Sequence, residues 1–173
     1  FRTITHHRHL VCRHCIEIGL YRQGLMHDLS KYSREEFWTG VRYYQGNRSP
    51  NAAERETVGF SKAWLHHKGR NKHHYEYWID VSVNKEEGLV GNKMPLKYVA
   101  EMVCDRIAAC QTYQKEKYTN ASPIEYFLQG SDKQFMHPHT AALLQQYLEW
   151  VRDFGIDAAF KKIQQDLRRS EVV

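Results

Sequence analysis

Eleven histidines stand in this 173-residue chain, and they are unevenly placed. His6, His7, His9 and His14 form one cluster and His66, His67, His73 and His74 another. One more stands in the tripeptide His27-Asp28-Leu29, and His137 and His139 complete the set. Imidazole nitrogen and carboxylate oxygen are the donors that borderline divalent cations take: Mn, Fe, Co, Ni and Zn. Several of these donors fall on helix faces that are otherwise apolar, where an unpartnered polar group is costly. His7 shares a stripe with Ile4, Val11 and Ile18; Asp28 lies between Leu25 and Leu29; His67 sits with Phe60, Ala63 and Trp64. Asp105 is in the segment Val103-Cys104-Asp105-Arg106-Ile107-Ala108, apolar nearly all round. Arg106 points about 100° away on a helix, so Asp105 needs a counter-charge from elsewhere, and a cation would supply one.

Within the first cluster, four histidines compete for a ligand position. His7 and His14 share the interior stripe, whereas His6 and His9 lie off it. His14 reads as a buried, hydrogen-bonded histidine, His73 as solvated, and His74 as evenly balanced between ligand and bystander. Cys12 and Cys15 have CxxC spacing, but no second CxxC exists, and core thiols are the better reading.

The elements that must position these groups are helical. Hydrophobic periodicity predicts helices over 4–19 and 22–32. Ser33 with Glu36 forms a capping box that opens a third helix toward Tyr44. A helix from about Asn51 to His67 follows, then the basic turn Lys68-Gly69-Arg70-Asn71-Lys72 and an aromatic segment containing Trp78. Residues 82–93 read as a surface loop. Pro95 opens a long helix to about Lys117, and Ser122-Pro123 opens another. Pro138 begins a helix that stops near Gly155, and a last one spans 156–169. The expectation is an all-α fold: one domain over 1–173 with seven or eight helices.

Composition agrees. Ten glycines and four prolines are few for this length, and β-branched residues are sparse. Hydrophobic residues make up 42% and charged residues 26%, which is ordinary globular protein. The net charge of +5 suits an anionic ligand such as a phosphate ester, without the dense Lys/Arg patterning of a dedicated nucleic-acid binder. No apolar run reaches about 18 residues, so no membrane span is expected. The N-terminal FRTITHHRHL is no signal peptide, and the lack of an initiator Met suggests a trimmed chain. Four cysteines are no secreted disulfide framework, and the default address is cytoplasmic.

His27-Asp28 followed by Leu29-Ser30-Lys31 resembles the signature of the HD-domain superfamily, usually His-Asp-apolar-Gly-Lys. With His7 upstream and Asp105 downstream, the chain is similar to that superfamily's H…HD…D pattern. The stretches 24–33 and 64–78 also resemble a small bacterial and phage family of unknown function within or near it. The resemblance covers about 4–115. It implies an HD-like helical core over about 4–117, with helices over about 122–169 completing the shell. The superfamily consists mostly of metal-dependent phosphohydrolases.

The resemblance further implies roles. His7, His27, Asp28 and Asp105 would hold a first divalent metal. Asp28 would bridge to a second held by some of His66, His67 and His74, giving one or two metals per chain. His66-His67 matches an adjacent pair in two-metal members. The HD-GYP branch continues with Glu and a Gly-Tyr-Pro motif, whereas this chain has Lys68 and no such motif, so cyclic-dinucleotide specificity is not implied. Lys31, beside Asp28, would hold a phosphate oxygen or orient the attacking water. Lys68, Arg70 and Lys72 would meet the substrate's phosphate.

The function these residues imply is hydrolysis of a small phosphorylated substrate such as a nucleotide, by a chain that could form a homo-oligomer. Two other readings compete: a non-catalytic HD-like module binding a nucleotide or a partner protein, and a di-iron oxygenase. The first predicts binding without turnover. The second predicts two irons per chain and oxygen consumption, which a histidine-rich, carboxylate-poor donor set disfavours.

Overall fold

The computed structural model describes residues 1–46 and 48–170. Its eight α-helices are α1 (Arg2–Glu17), α2 (Tyr21–Met26), α3 (Arg34–Tyr43), α4 (Pro50–Val58), α5 (Lys62–Lys68), α6 (Leu96–Gln114), α7 (Ser122–Gln129) and α8 (Pro138–Ser170). The fold is all-α, as the periodicity predicts. One small hairpin joins β1 (Ile79–Val81) to β2 (Leu89–Gly91), in register Ile79↔Gly91. That hairpin lies partly in the stretch expected to be a plain loop.

The central helix is α6, whose residues 99–104, 107, 108, 110 and 112 are buried. A helix apolar on so many sides must be surrounded. α1 and α8 pack against it, with α7 alongside, and Val11, Ile18, Val103, Ile107, Phe127, Leu144, Leu148 and Ile163 fill the core between them. α8 bends at Gly155, where φ is 78° and ψ 167°, conformations open to glycine but not to a helical residue. The break falls where the sequence predicts one helix to stop and the next to start.

Two expected helices are interrupted. The first, over 22–32, ends at Met26. His27 is extended and Asp28 is left-handed (φ 51°, ψ 28°), after which Leu29–Tyr32 makes a 3-10 turn. Asp and Asn are among the few residues whose short polar side chains tolerate that conformation. The break turns Asp28 inward and leaves Leu25 64% exposed, so the two do not share a face. α2 reaches α1 closely because Gly24 has no side chain: a Cβ there would meet Cys15 Cβ at 2.9 Å and Cys12 O at 3.0 Å. The second, 51–67, splits at Gly59 into α4 and α5, with Ser61 capping α5 through Trp64 N at 3.0 Å. Phe60 falls in the gap and is 54% exposed instead of facing the core.

Helices α3, α4 and α5 bury few apolar side chains. α3 packs against α4 and α5, and buries Glu36 instead of an apolar residue. All four cysteines are free, with Cys15, Cys104 and Cys110 buried, as core thiols should be. No helix among the described residues is long and apolar enough to cross a membrane.

Candidate metal centre

Four elements converge on one buried spot. α1 supplies His7, the α2–α3 turn supplies His27 and Asp28, α5 and the turn after it supply His67, His73 and His74, and α6 supplies Asp105. Their donor atoms form two groups, each with members within 4.8 Å of one another: His7, His27, Asp28 and Asp105; and Asp28, His67, His73 and His74. Asp28 belongs to both.

In the first group, His7 Nε2 lies 3.0 Å from Asp105 Oδ1 and 3.8 Å from Asp28 Oδ2. His27 Nε2 lies 3.3 Å from Asp28 Oδ2 and 3.6 Å from Asp105 Oδ1. In the second, Asp28 Oδ1 is 3.2 Å from His67 Nε2 and 3.4 Å from His73 Nε2, and the Nε2 atoms of His67 and His74 are 2.9 Å apart. Donors about 2.1 Å from a shared cation stand about 3.0 Å apart along an octahedral edge and about 3.4 Å along a tetrahedral one. The observed separations centre on those lengths.

Apart from Lys31 Nζ beside Asp28 Oδ2, these atoms lack partners outside the cluster. His7 Nε2, His27 Nε2, His73 Nε2 and both Asp28 carboxylate oxygens are buried with no hydrogen bond of acceptable geometry. Buried polar groups are ordinarily hydrogen-bonded, so five such atoms pointing at one another call for a shared partner. Their geometry and donor chemistry fit a divalent cation.

The far sides of the imidazoles are held by carboxylates. Glu101 Oε1 accepts from His27 Nδ1 at 3.0 Å and lies 3.1 Å from His73 Nδ1. Glu36 Oε2 accepts from His67 Nδ1 at 2.7 Å, and Asn71 and Ser30 crowd the same ring. An ionised carboxylate accepts only, so each Nδ1 carries a proton, and it is Nε2 that would present a lone pair to a cation once its own proton is displaced. Arg8 holds the turn from outside, its Nε donating to His27 O at 2.8 Å.

The charges reinforce each other. Burial would raise the Asp28 pKa, but the positive charges of His27, Lys31 and His67 hold it well below the usual carboxylate range. Burial would also raise Asp105, and the close imidazoles of His27 and His7 bring it well down. His27 is pushed down by burial and lifted further by Asp28 and Asp105, ending well above an ordinary imidazole. His74 goes the other way, lowered by burial and by the neighbouring His73 and His67.

Of the residues expected from sequence, His7, His27, Asp28, His67, His74 and Asp105 meet here. His66 does not: its Nδ1 donates to Glu36 Oε1 at 2.7 Å, and it belongs to neither donor group. Adjacent helix residues point about 100° apart, and although both rings reach Glu36, only His67 also turns its Nε2 toward Asp28. Lys31 is in place, with Nζ 2.5 Å from Asp28 Oδ2. Asp28's negative charge outweighs burial and raises the Lys31 pKa, keeping it an ammonium. Lys68, Arg70 and Lys72 stay outside the donor set. Arg70 donates to His66 O at 3.2 Å, and Lys72 Nζ lies over the Tyr77 ring at 5.6 Å.

Three residues beyond those expected from sequence also take part: His73, Glu101 and Glu36. His73, expected to be solvated, is 1% exposed, because the turn after α5 folds back and carries it inward with His74. Glu101 had a readable signal: it lies one turn before Asp105 on the same face of α6. Glu36 was concealed by its capping-box position. Ser33 does cap α3, accepting from Glu36 N at 3.4 Å, but the Glu36 side chain serves the histidines instead.

No curated protein and no solved structure matches the chain. One family model matches residues 1–150, a span that contains every donor described above. By that match the chain belongs to the family described as "Family of unknown function (DUF5662)".

Proposed function

We propose that this chain is a metal-dependent phosphohydrolase of HD-like type, acting on a small phosphorylated substrate such as a nucleotide. The observation that carries the reading is the position of Asp28. Its two oxygens face separate sets of imidazole Nε2 atoms, as a bridging carboxylate between two cations requires. His7, His27, Asp28 and Asp105 would hold one cation, and Asp28, His67, His73 and His74 the other. A bound pair drawn from Mn, Fe, Co, Ni or Zn would supply a water of lowered pKa and positive charge facing the phosphoryl oxygens.

The chain's own residues do the rest. Glu36 and Glu101 fix the imidazole tautomers by accepting from Nδ1. Lys31 Nζ, permanently charged and part-exposed at the edge of the cluster, donates to a phosphate oxygen. Lys68, Arg70 and Lys72 lie on or beside the turn that carries His73 and His74, where their charge draws a phosphorylated ligand in.

The test is elemental analysis of protein purified without chelator, followed by hydrolysis of phosphomonoesters and phosphodiesters across a panel of divalent metals. One or two transition metals per chain with turnover of a phosphate ester is the expected result. Metal-free protein that stays inert on reloading sinks the proposal. Bound metal without turnover would favour a binding module, and oxygen consumption with two irons would favour an oxygenase.

A further inference from the structure

Glu101 occupies an unusual place. It is 5% exposed on α6, and one of its oxygens meets the Nδ1 atoms of two imidazoles at once, accepting from His27 at 3.0 Å and lying 3.1 Å from His73. Those rings stand 4.4 Å apart between centroids, and they belong to different donor groups. His27 serves the group with His7 and Asp105, whereas His73 serves the group with His67 and His74. Glu101, His27 and His73 are themselves close enough to resemble a third ligand set. Their Nδ1 atoms, however, are already engaged by the carboxylate, and it is the Nε2 atoms on the opposite edges that lack partners.

We infer that Glu101 is a positioning residue that ties the two cation sites together: one carboxylate sets the tautomer, aim and basicity of one imidazole in each. This inference rests on the two-cation reading above. Carboxylates behind ligand histidines ordinarily account for about 10–100-fold in metal affinity at the site they serve. Here the same loss should fall on both sites from a single substitution. Glu36 offers the contrast, since its second imidazole, His66, is in neither donor group, so its removal should weaken one site alone.

The experiment isolates each site. Asp105→Asn removes a donor found only in the first group, leaving the second to be titrated; His74→Ala does the converse. Mn²⁺ affinity is measured by calorimetry in each background, with and without Glu101→Gln. Gln keeps the shape and an acceptor oxygen while removing the charge, so the metal-free fold, followed by thermal melting, should persist. The expected result is a roughly 10-fold or greater weakening in both backgrounds, and a shift in the visible spectrum of bound Co²⁺ in both. Weakening in one background only, or in neither, overturns the inference while the two-cation reading stands. A parent protein that binds no Mn²⁺ overturns both.

Discussion

Helix α1 carries two buried histidines on one stripe, His7 and His14, and α6 faces each with a polar residue. Each ring has one buried nitrogen without a hydrogen bond, but what converges on it differs. Opposite His7 stand the carboxylates of Asp105 and Asp28, with His7 Nε2 lacking a hydrogen bond. Opposite His14 stands the neutral amide of Gln111, whose Oε1 accepts from His14 Nε2 at 3.1 Å, with Phe160 edge-on at 5.4 Å. One neutral acceptor on Nε2, with Nδ1 unpaired and a single carboxylate 3.9 Å away, leaves His14 outside any donor group. Converging carboxylates and imidazoles at His7 are the arrangement on which the proposed cation site rests. Burial and helical spacing are shared by both, so neither distinguishes function from packing; the convergence of several donors on one point does.

The largest expected effect breaks the charged end. Asp28→Asn preserves the left-handed turn, which Asn also tolerates, but removes the bridging charge. Metal content should fall to background and phosphate-ester hydrolysis by about 10²–10³-fold or more, with circular dichroism unchanged. Wild-type rates in this variant would refute the role given to Asp28.

A paired substitution sharpens the contrast along α1. His7→Leu should lower metal affinity by at least about tenfold. His14→Leu should leave metal stoichiometry intact and shift stability by no more than about 1.5 kcal/mol, the worth of one neutral hydrogen bond. Denaturant melts and metal titration of both variants check this. Equal metal loss would erase the distinction between the two sites.

The pH response of His14 is smaller. Burial lowers its folded pKa below the usual value near 6.5. As pH falls below 6.5, the unfolded chain takes up a proton that the folded one resists, so stability declines toward acid. Between pH 7.5 and 5.5 the wild type should lose more stability than His14→Leu, by at most about 1.4 kcal/mol per pH unit. Parallel melts of the two would show His14 to be indifferent to pH.

The smallest effect tests an excluded residue. His66→Ala should keep its metal stoichiometry, because His66 contacts the carboxylate behind His67 and not the centre itself. Loss of a full equivalent of metal would restore His66 as a ligand.

Much of this was legible beforehand where local rules operate. The stripe on α1, the Pro-opened α7 and α8, the break at Gly155 and the outward turn of Arg106, which pairs with Asp132 at 2.7 Å, all follow from spacing and backbone preference. Local rules misled where they compete with long-range demands. The apolar neighbours of Asp28 suggested a continuous helix, yet turning its carboxylate inward required the helix to end at Met26. Phe60 looked like a core residue because the 51–67 pattern ignored Gly59. His66 and His67 looked equivalent because adjacency in sequence conceals the angle between them.

By itself the sequence determined the helical class, the placement of most helix ends and a short list of donor side chains, because helix propensity and the burial cost of polar groups act over a few residues. Only the tertiary structure decided which donors meet. His27 and Glu101 are 74 positions apart and meet because α6 packs against α1, which holds the α2–α3 turn in place. His73 enters because the turn after α5 folds back. Convergence on a point is set by how helices cross, and that information resides in the pairing of distant faces, not in any single stretch of chain.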